Sequence, residues 1–226
     1  MQIISDERSL ELTGDFDQPS AHQLVLEGCA GFVIGATFAN GDTSRHASES
    51  IAVGRKSIFT QIDGGGVLVT GKSNLVFEDC VFRNNISMMC GGGVSLQTQP
   101  GSKITFKNCQ FLGNNAADTG SAIDLLTPNQ IVVVEKSVFE GNSTTRWADT
   151  PRGHISVFPN NRLKLISCDF KDGDVDVDYH GQCDIEVDTD KYRIQDVGGQ
   201  KNLKAISKVL TIARAWRQHP AYLPRI

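Results

Sequence analysis

The sequence predicts an all-β solenoid, a parallel β-helix spanning residues 1–196, with a basic helical tail at 197–226. Three observations predict it: a strand-plus-Cys-x-Phe-x-x-Asn element that recurs along the chain, a small-residue-plus-strand element that alternates with it, and an amphipathic pattern confined to the last thirty residues.

The first element is clearest at Leu75-Val76-Phe77-Glu78-Asp79-Cys80, which returns as Ile104 to Cys109, Val132 to Ser137 and Leu163 to Cys168, at spacings of 29, 28 and 31 residues. Leu24-Val25-Leu26-Glu27-Gly28-Cys29 reads as an earlier copy, 51 residues before Cys80, which implies either two coils or one coil with a large loop. A phenylalanine follows each later Cys or Ser by two places: Phe82, Phe111, Phe139 and Phe170. Asn85, Asn114 and Asn142 come three residues after the first three of these. Gly173 takes that place in the fourth copy and, like Asn, tolerates a left-handed turn.

The second element is a run of small residues leading into a strand: Gly64-Gly65-Gly66-Val67, Gly91-Gly92-Gly93-Val94, Gly120-Ser121-Ala122-Ile123 and, more weakly, Gly153-His154-Ile155. Each period therefore holds at least two short alternating strands and no helix. A period of this length without a Leu/Asn ladder fits a chain that wraps once per repeat and pairs each strand with its copy about 4.8 Å above. Like residues then stack on like: Cys on Cys, Phe on Phe, Asn on Asn. Four to six coils would make a rod roughly 20–30 Å long by that spacing, and the array rather than the single repeat is the folding unit.

Composition agrees. The 22 glycines outnumber the 16 aromatic residues, which favours a turn-rich fold. The net charge of −4 gives no sign of a nucleic-acid partner. No run of 18 apolar residues marks a transmembrane helix, and Met-Gln-Ile-Ile-Ser-Asp-Glu-Arg lacks the plan of a signal peptide. A cell-surface or secreted location is thus expected only for a processed chain or a fragment.

Phe82-x-x-Asn85 followed by Gly91-Gly92-x-Val94, and Phe111-x-x-Asn114 followed by Gly120-x-x-Ile123, resemble the paired F-x-x-N and G-G-A-I elements of the polymorphic outer-membrane proteins, over about residues 24–175. The resemblance implies a right-handed, pectin-lyase-like parallel β-helix. It also implies an adhesin-type role, since members often act as secreted adhesins ahead of a membrane barrel. This chain shows no series of ten-residue alternating strands for such a barrel.

Six cysteines raise the question of disulfides. Stacked Cβ atoms on adjacent rungs stand further apart than the usual ~3.8 Å of a bridge, and Ser137 interrupts the column. Cys29, Cys80, Cys109 and Cys168 are therefore expected to be small buried fillers, whereas Cys90 and Cys183 lie outside the column and are expected to be exposed. No Cys-x-x-Cys pair suggests a metal, and no cofactor is implied.

Asp172, Asp174, Asp176 and Asp178 alternate with Gly173, Val175, Val177 and Tyr179. Alternating carboxylates suit a hard cation. A strand holds them roughly 6.6 Å apart, which favours a solvent-facing surface over a shared ion.

In the tail, Leu203, Ile206, Leu210 and Ala213 recur at helical spacing up to Pro220. Residues 197–226 hold six basic and no acidic residues, leaving 16 basic against 26 acidic groups in residues 1–196. The apolar stripe suits a cap over the open end of the solenoid. Lys201, Lys204, Lys208, Arg214 and Arg217 suit an acidic partner.

One connection is longer than its copies. Fourteen residues separate Phe139 from Gly153, against nine from Phe82 to Gly91. The extra segment holds Arg146, Trp147, Asp149 and Arg152, with His154 just beyond. Trp anchors partners or sugar rings, and Arg binds carboxylates. The expected function is a non-catalytic structural or recognition module docking to a protein or glycan. The alternatives are a polysaccharide lyase or hydrolase acting on an acidic glycan, with the long loop, His154 and the Asp172–Asp178 carboxylates converging in one groove and His180 beside Asp172 and Asp174 as a further hint, and a fragment of a surface adhesin.

Overall fold

The computed structural model describes residues 65–145 and 153–197 in full, together with six strands between residues 2 and 39. The chain winds through three sheets per coil. Sheet A has eight strands: Gln2–Ile4, Leu24–Glu27, Val67–Gly71, Val94–Thr98, Ile123–Leu125, Ile155–Val157, Val177–Tyr179 and Ile194–Asp196. Sheet B has seven: Ser9–Leu12, Ala30–Ile34, Asn74–Glu78, Lys103–Lys107, Ile131–Glu135, Arg162–Ile166 and Asp184–Val187. Sheet C has six: Asp15–Phe16, Thr37–Ala39, Val81–Arg83, Gln110–Leu112, Val138–Glu140 and Asp169–Phe170. A small sheet D adds Ile86–Ser87, Asn115–Ala116 and Ser143–Thr144 after sheet C. Neighbours in every sheet are parallel and one coil apart. Among the described residues six coils carry a strand in each of sheets A, B and C, within the four to six expected, and two further strands of sheet A and one of sheet B extend the array.

The register confirms the stacking of the later copies and corrects the first. Phe77 faces Phe106, and Phe82 faces Phe111. Leu24–Glu27, however, pairs with Val67–Gly71 in sheet A, while Ala30–Ile34 is the partner of Asn74–Glu78. The apolar triplet Leu24-Val25-Leu26 thus belongs to sheet A and not to sheet B, and the sequence does not separate the two because both strand types present the same alternating pattern. Phe38 is the residue that stands beneath Phe82. One coil with a large insertion, not two coils, thus separates the first copy from Cys80. Cys29 lies outside the described residues.

Inward-facing positions alternate strictly along sheet B, as at Leu75 and Phe77, Ile104 and Phe106, Val132 and Val134, Leu163 and Leu165. The rings of Phe82, Phe111, Phe139 and Phe170 form one continuous stack, with centroids 4.7, 4.8 and 4.5 Å apart and planes within 8° of parallel. That spacing is the rung repeat itself, so strand pairing imposes face-to-face contact. The edges of Phe77 and Phe106 then supply the T-shaped contacts that aromatic rings prefer.

The corner between sheets B and C is two residues long in each of four consecutive coils, and its first residue is always left-handed: Asp79, Asn108, Lys136 and Ser167, with φ of 56, 52, 48 and 53°. The second residue is the Cys/Ser column. The thiols of Cys80, Cys109 and Cys168 donate to the Glu78, Lys107 and Ile166 carbonyls, as the hydroxyl of Ser137 does to Glu135 at 2.9 Å. None of the three is joined in a disulfide, as the stacking geometry predicted. The hydrogen-bonded neighbour Cys80 and burial push the Cys109 thiol far up, and burial pushes Cys168 up to about 11. These are unreactive groups. Because Ser137 already serves in the same column, Cys109→Ser is expected to cost no more than about 1 kcal/mol in a urea titration.

Two expectations about exposure fail. Cys90 is buried, held under the turn where Thr119 Oγ1 lies 3.2 Å from its sulfur. Cys183 is half-buried, its thiol donating to the Val157 and Phe158 carbonyls. Neither sits in the Cys/Ser column, but each occupies another stacked corner position. The helix expected in the tail lies outside the described residues. The described end of the solenoid is closed by residues 188–197, where the Tyr192 hydroxyl accepts from the Cys168 amide at 2.9 Å and its ring packs on Phe170.

Candidate functional site

The corner that joins sheet C to the next strand of sheet A collects every long connection. The A-to-B corners span two to five residues, and the B-to-C corners span two. From C to A the chain takes residues 84–93 and 113–122 in the two regular coils, but 40–66 in the coil below them and 141–154 in the coil above. Both insertions therefore leave and re-enter the solenoid on one side, flanking the Ile86–Ser87 and Asn115–Ala116 strands. Ile86 and Met88, 43% and 38% exposed, stand on this side. Arg146, Trp147, Asp149 and Arg152 belong to the upper insertion, which leaves at Thr145 and returns at Gly153. They lie outside the described residues, as do Lys201, Lys204, Lys208, Arg214 and Arg217 of the tail.

Beneath this corner runs an asparagine ladder. Asn85 donates to Asn114 Oδ1 at 2.8 Å, and Asn114 donates to Asn142 Oδ1 at 2.8 Å. The second hydrogens of Asn114 and Asn142 go to the Phe82 and Phe111 carbonyls. The ladder needs room: a Cβ on Gly66 would stand 2.9 Å from Asn85 Nδ2. Gly66, Gly93 and Ala122 keep that space open on successive coils.

His154 holds the same position one coil higher, since the Ala122 and Ile123 amides both donate to its carbonyl. The asparagine of that coil is replaced by Gly173, and the imidazole fills the vacated volume, its Nε2 3.2 Å from where a Gly173 Cβ would be. A small-residue/Asn pair has become a His/Gly pair of similar total size. His154 is 2% exposed. Its Nδ1 lies 3.1 Å from Asn142 Nδ2, and its Nε2 lies 3.0 Å from the Asp172 carbonyl. Burial holds its pKa below the ordinary value, against the pull of Asp172. His154, one of the candidate binding residues, stands at the top of the asparagine ladder.

The carboxylates of 172–178 do gather near His154, but they do not form the solvent-facing row expected. Asp172 accepts from the Gly141 amide, and its Oδ1 is 3.5 Å from His154 Nε2. Asp176 is buried and gripped by Arg193, whose backbone amide and Nε donate at 2.8 and 3.0 Å. Arg193 also donates to the Gly173 carbonyl. Asp178 is buried on the outer side of sheet A, accepting from the Gly153 amide at 2.7 Å and the Ser156 hydroxyl at 2.8 Å. The error has a physical cause. Asp176 and Asp178 are covered by neighbouring coils, and alternation within one strand says nothing about what lies over its outer face. Among the described residues no three His, Cys, Asp or Glu side chains are placed to share a metal ion.

Ser156, Asp178 and His180 meet at one point, but not as a nucleophilic relay. His180 uses the same atom, Nε2, toward Asp178 Oδ2 at 3.3 Å and Ser156 Oγ at 3.4 Å, while the Ser156 proton goes to the carboxylate. A relay needs the acid and the nucleophile on opposite ring nitrogens.

A second ladder, at the A-to-B corner, escaped sequence reasoning. Ser73, Ser102, Gln130 and Asn161 stack in register: the Ser73 amide donates to Ser102 Oγ, and the Gln130 amide to Asn161 Oδ1. Their side chains satisfy carbonyls of the preceding turn, as where Asn161 donates to Leu125 and Phe158. The changing residue type hid the column; the signal that marks it is a polar residue one place before each of the four sheet B strands from Asn74–Glu78 to Arg162–Ile166. An open groove of about 600 Å³ runs along this corner, lined by Asn129, Asn160 and Gln182 with the Arg162–Asp184 ion pair.

The right-handed β-helix region family matches residues 23–191, three quarters of the chain, and the protein belongs to that family. No curated protein and no solved structure matches the sequence. The closer likeness to polymorphic outer-membrane proteins rests on the F-x-x-N and G-G-x-V spacing alone.

Proposed function

We propose that this β-helix protein is a non-catalytic recognition scaffold that docks to a protein partner through its C-to-A corner. The observation that carries this reading is the convergence of both long insertions on one side of an otherwise minimal solenoid. Loops on a rigid scaffold are where binding residues concentrate. Between the insertions stand exposed Ile86 and Met88, and the upper insertion brings Arg146, Trp147, Asp149 and Arg152, an aromatic and arginine composition typical of interface anchors. The basic tail, with Lys201, Lys204, Lys208, Arg214 and Arg217, supplies a second contact for an acidic partner.

The reading as a lyase or hydrolase on an acidic glycan draws less support. His154, Asp176 and Asp178 are at most 2% exposed and are engaged with Asn142, Arg193, Gly153 and Ser156. A catalytic acid or base must reach substrate.

The test compares the intact chain with Trp147→Ala and with a truncation after Gly199, in affinity capture from the native source. Loss of one specific protein with Trp147→Ala, by tenfold or more in recovered amount, supports the corner as the contact. Undiminished capture by both variants, or retention and cleavage of an acidic glycan instead, contradicts the proposal.

A further inference from the structure

We infer that the seam joining Asn142, His154 and Asp172 is a pH-responsive joint, at which mild acid loosens the last coils of the solenoid from the coils below.

The protonation state of the seam is set by its hydrogen bonds. Asn142 Oδ1 accepts from the amide and the Nδ2 of Asn114, so its NH₂ group faces His154. An NH₂ group donates only. His154 Nδ1 therefore accepts, and the ring's single proton sits on Nε2, donated to the Asp172 carbonyl. A second proton would go on Nδ1, setting two donors against each other at 3.1 Å. The contact must open.

The surroundings give the added charge little to replace it. The rings of Phe139, one coil below, and Phe170, of the same coil, lie 6.0 and 5.6 Å from the imidazole. Asp172 and Asp176 favour the charged form, and Arg193 opposes it. Asp176 is already neutralised by Arg193. Glu140, on the strand of Phe139, and Lys171, just past the strand of Phe170, pair with each other at 2.9 Å. Burial outweighs these charges, so the folded protein holds His154 neutral.

The sign follows. A histidine whose folded pKa is depressed contributes stability that is complete above its unfolded value of about 6.5 and is lost as pH falls below it, because the unfolded state takes up the proton first. The loss is local, since His154 joins one coil to the next. It bridges Asn142 to the 172–176 loop, which Arg193 in turn ties to the final strand of sheet A. The ladder of the lower coils, Asn85, Asn114 and Asn142, has no titrating member.

Amide hydrogen exchange on the full chain at pH 7.0 and 5.5, corrected for intrinsic rates, tests this. Protection of amides in Ile155–Val157 and Val177–Tyr179 should fall by about tenfold, as one unit of proton linkage allows, while Val94–Thr98 keeps its protection. In His154→Asn, whose amide oxygen accepts from Asn142 without titrating, the difference between the two pH values should vanish. Equal acid loss in that variant, or uniform loss along the whole solenoid, overturns the inference. Should His154→Asn not fold, the imidazole is followed by NMR in the unmodified chain. A titration midpoint well below 6.5 that coincides with the exchange change is expected; an ordinary midpoint with unchanged protection overturns the inference. The readout needs no partner, so its outcome is independent of the recognition reading.

Discussion

Phe111→Ala is expected to destabilise the protein by about 3–5 kcal/mol in a urea or guanidinium titration, a large share of the 5–15 kcal/mol that holds an ordinary domain folded. Phe111 is fully buried at the centre of the aromatic stack, with Phe82 below at 4.7 Å, Phe139 above at 4.8 Å and the edge of Phe106 at 5.5 Å. Its removal opens a cavity that neighbours cannot close, because strand pairing fixes the ring spacing on both sides. Each coil contacts only the coils beside it, so a break at the middle of the array uncouples the two halves. Phe170, only half-buried at the end of the stack, makes the comparison. Phe170→Ala is expected to cost clearly less, and equal losses would show that position in the stack does not matter.

Asn114→Ala has the second-largest expected effect, about 2–4 kcal/mol. Asn114 is fully buried, and its side chain makes four hydrogen bonds: it accepts from the amide and the Nδ2 of Asn85, and donates to the Phe82 carbonyl and to Asn142 Oδ1. Alanine breaks all four at once, inside a coil that water enters only by disrupting it. A buried polar group deprived of its partner costs about 1–3 kcal/mol. Asn114→Asp separates packing from hydrogen bonding, since the shape is retained while the two donated bonds are lost. A loss as large as that of alanine is expected from it. A neutral outcome for either variant in equilibrium unfolding would mean that the ladder is ornament on a fold held by its apolar columns.

What was legible in the sequence, and what was not, divides by whether stacking conserves residue type. The Phe82, Phe111, Phe139 and Phe170 column repeats one side chain on four successive coils and the Asn85, Asn114 and Asn142 column on three, so spacing alone revealed the fold. The Ser73, Ser102, Gln130 and Asn161 column performs the same task with changing residues, and no repeat of letters discloses it. The alignment of Leu24-Val25-Leu26 failed for a related reason: strands of sheets A and B carry the same alternating signature, and only pairing separates them. His154 and Gly173 exchanged volumes, which read as two unrelated departures until the two positions were seen to be adjacent. The burial of Asp176 and Asp178 depends on neighbouring coils that pattern within one strand cannot register. The site itself was half legible. The extra length between Phe139 and Gly153 drew attention to the upper insertion. That the 40–66 insertion leaves from the same corner follows only from sheet order.

In the proposed reading the stacked columns build the rod and recognition is confined to the C-to-A corner. Site-specific photo-crosslinking tests it most directly, with the reactive side chain placed in turn at Ile86, exposed on that corner, and at Lys103, exposed on the outer face of sheet B. A partner from the native source is expected to be captured from position 86 and not from position 103. Capture from position 103 alone, or equally from both, would contradict it.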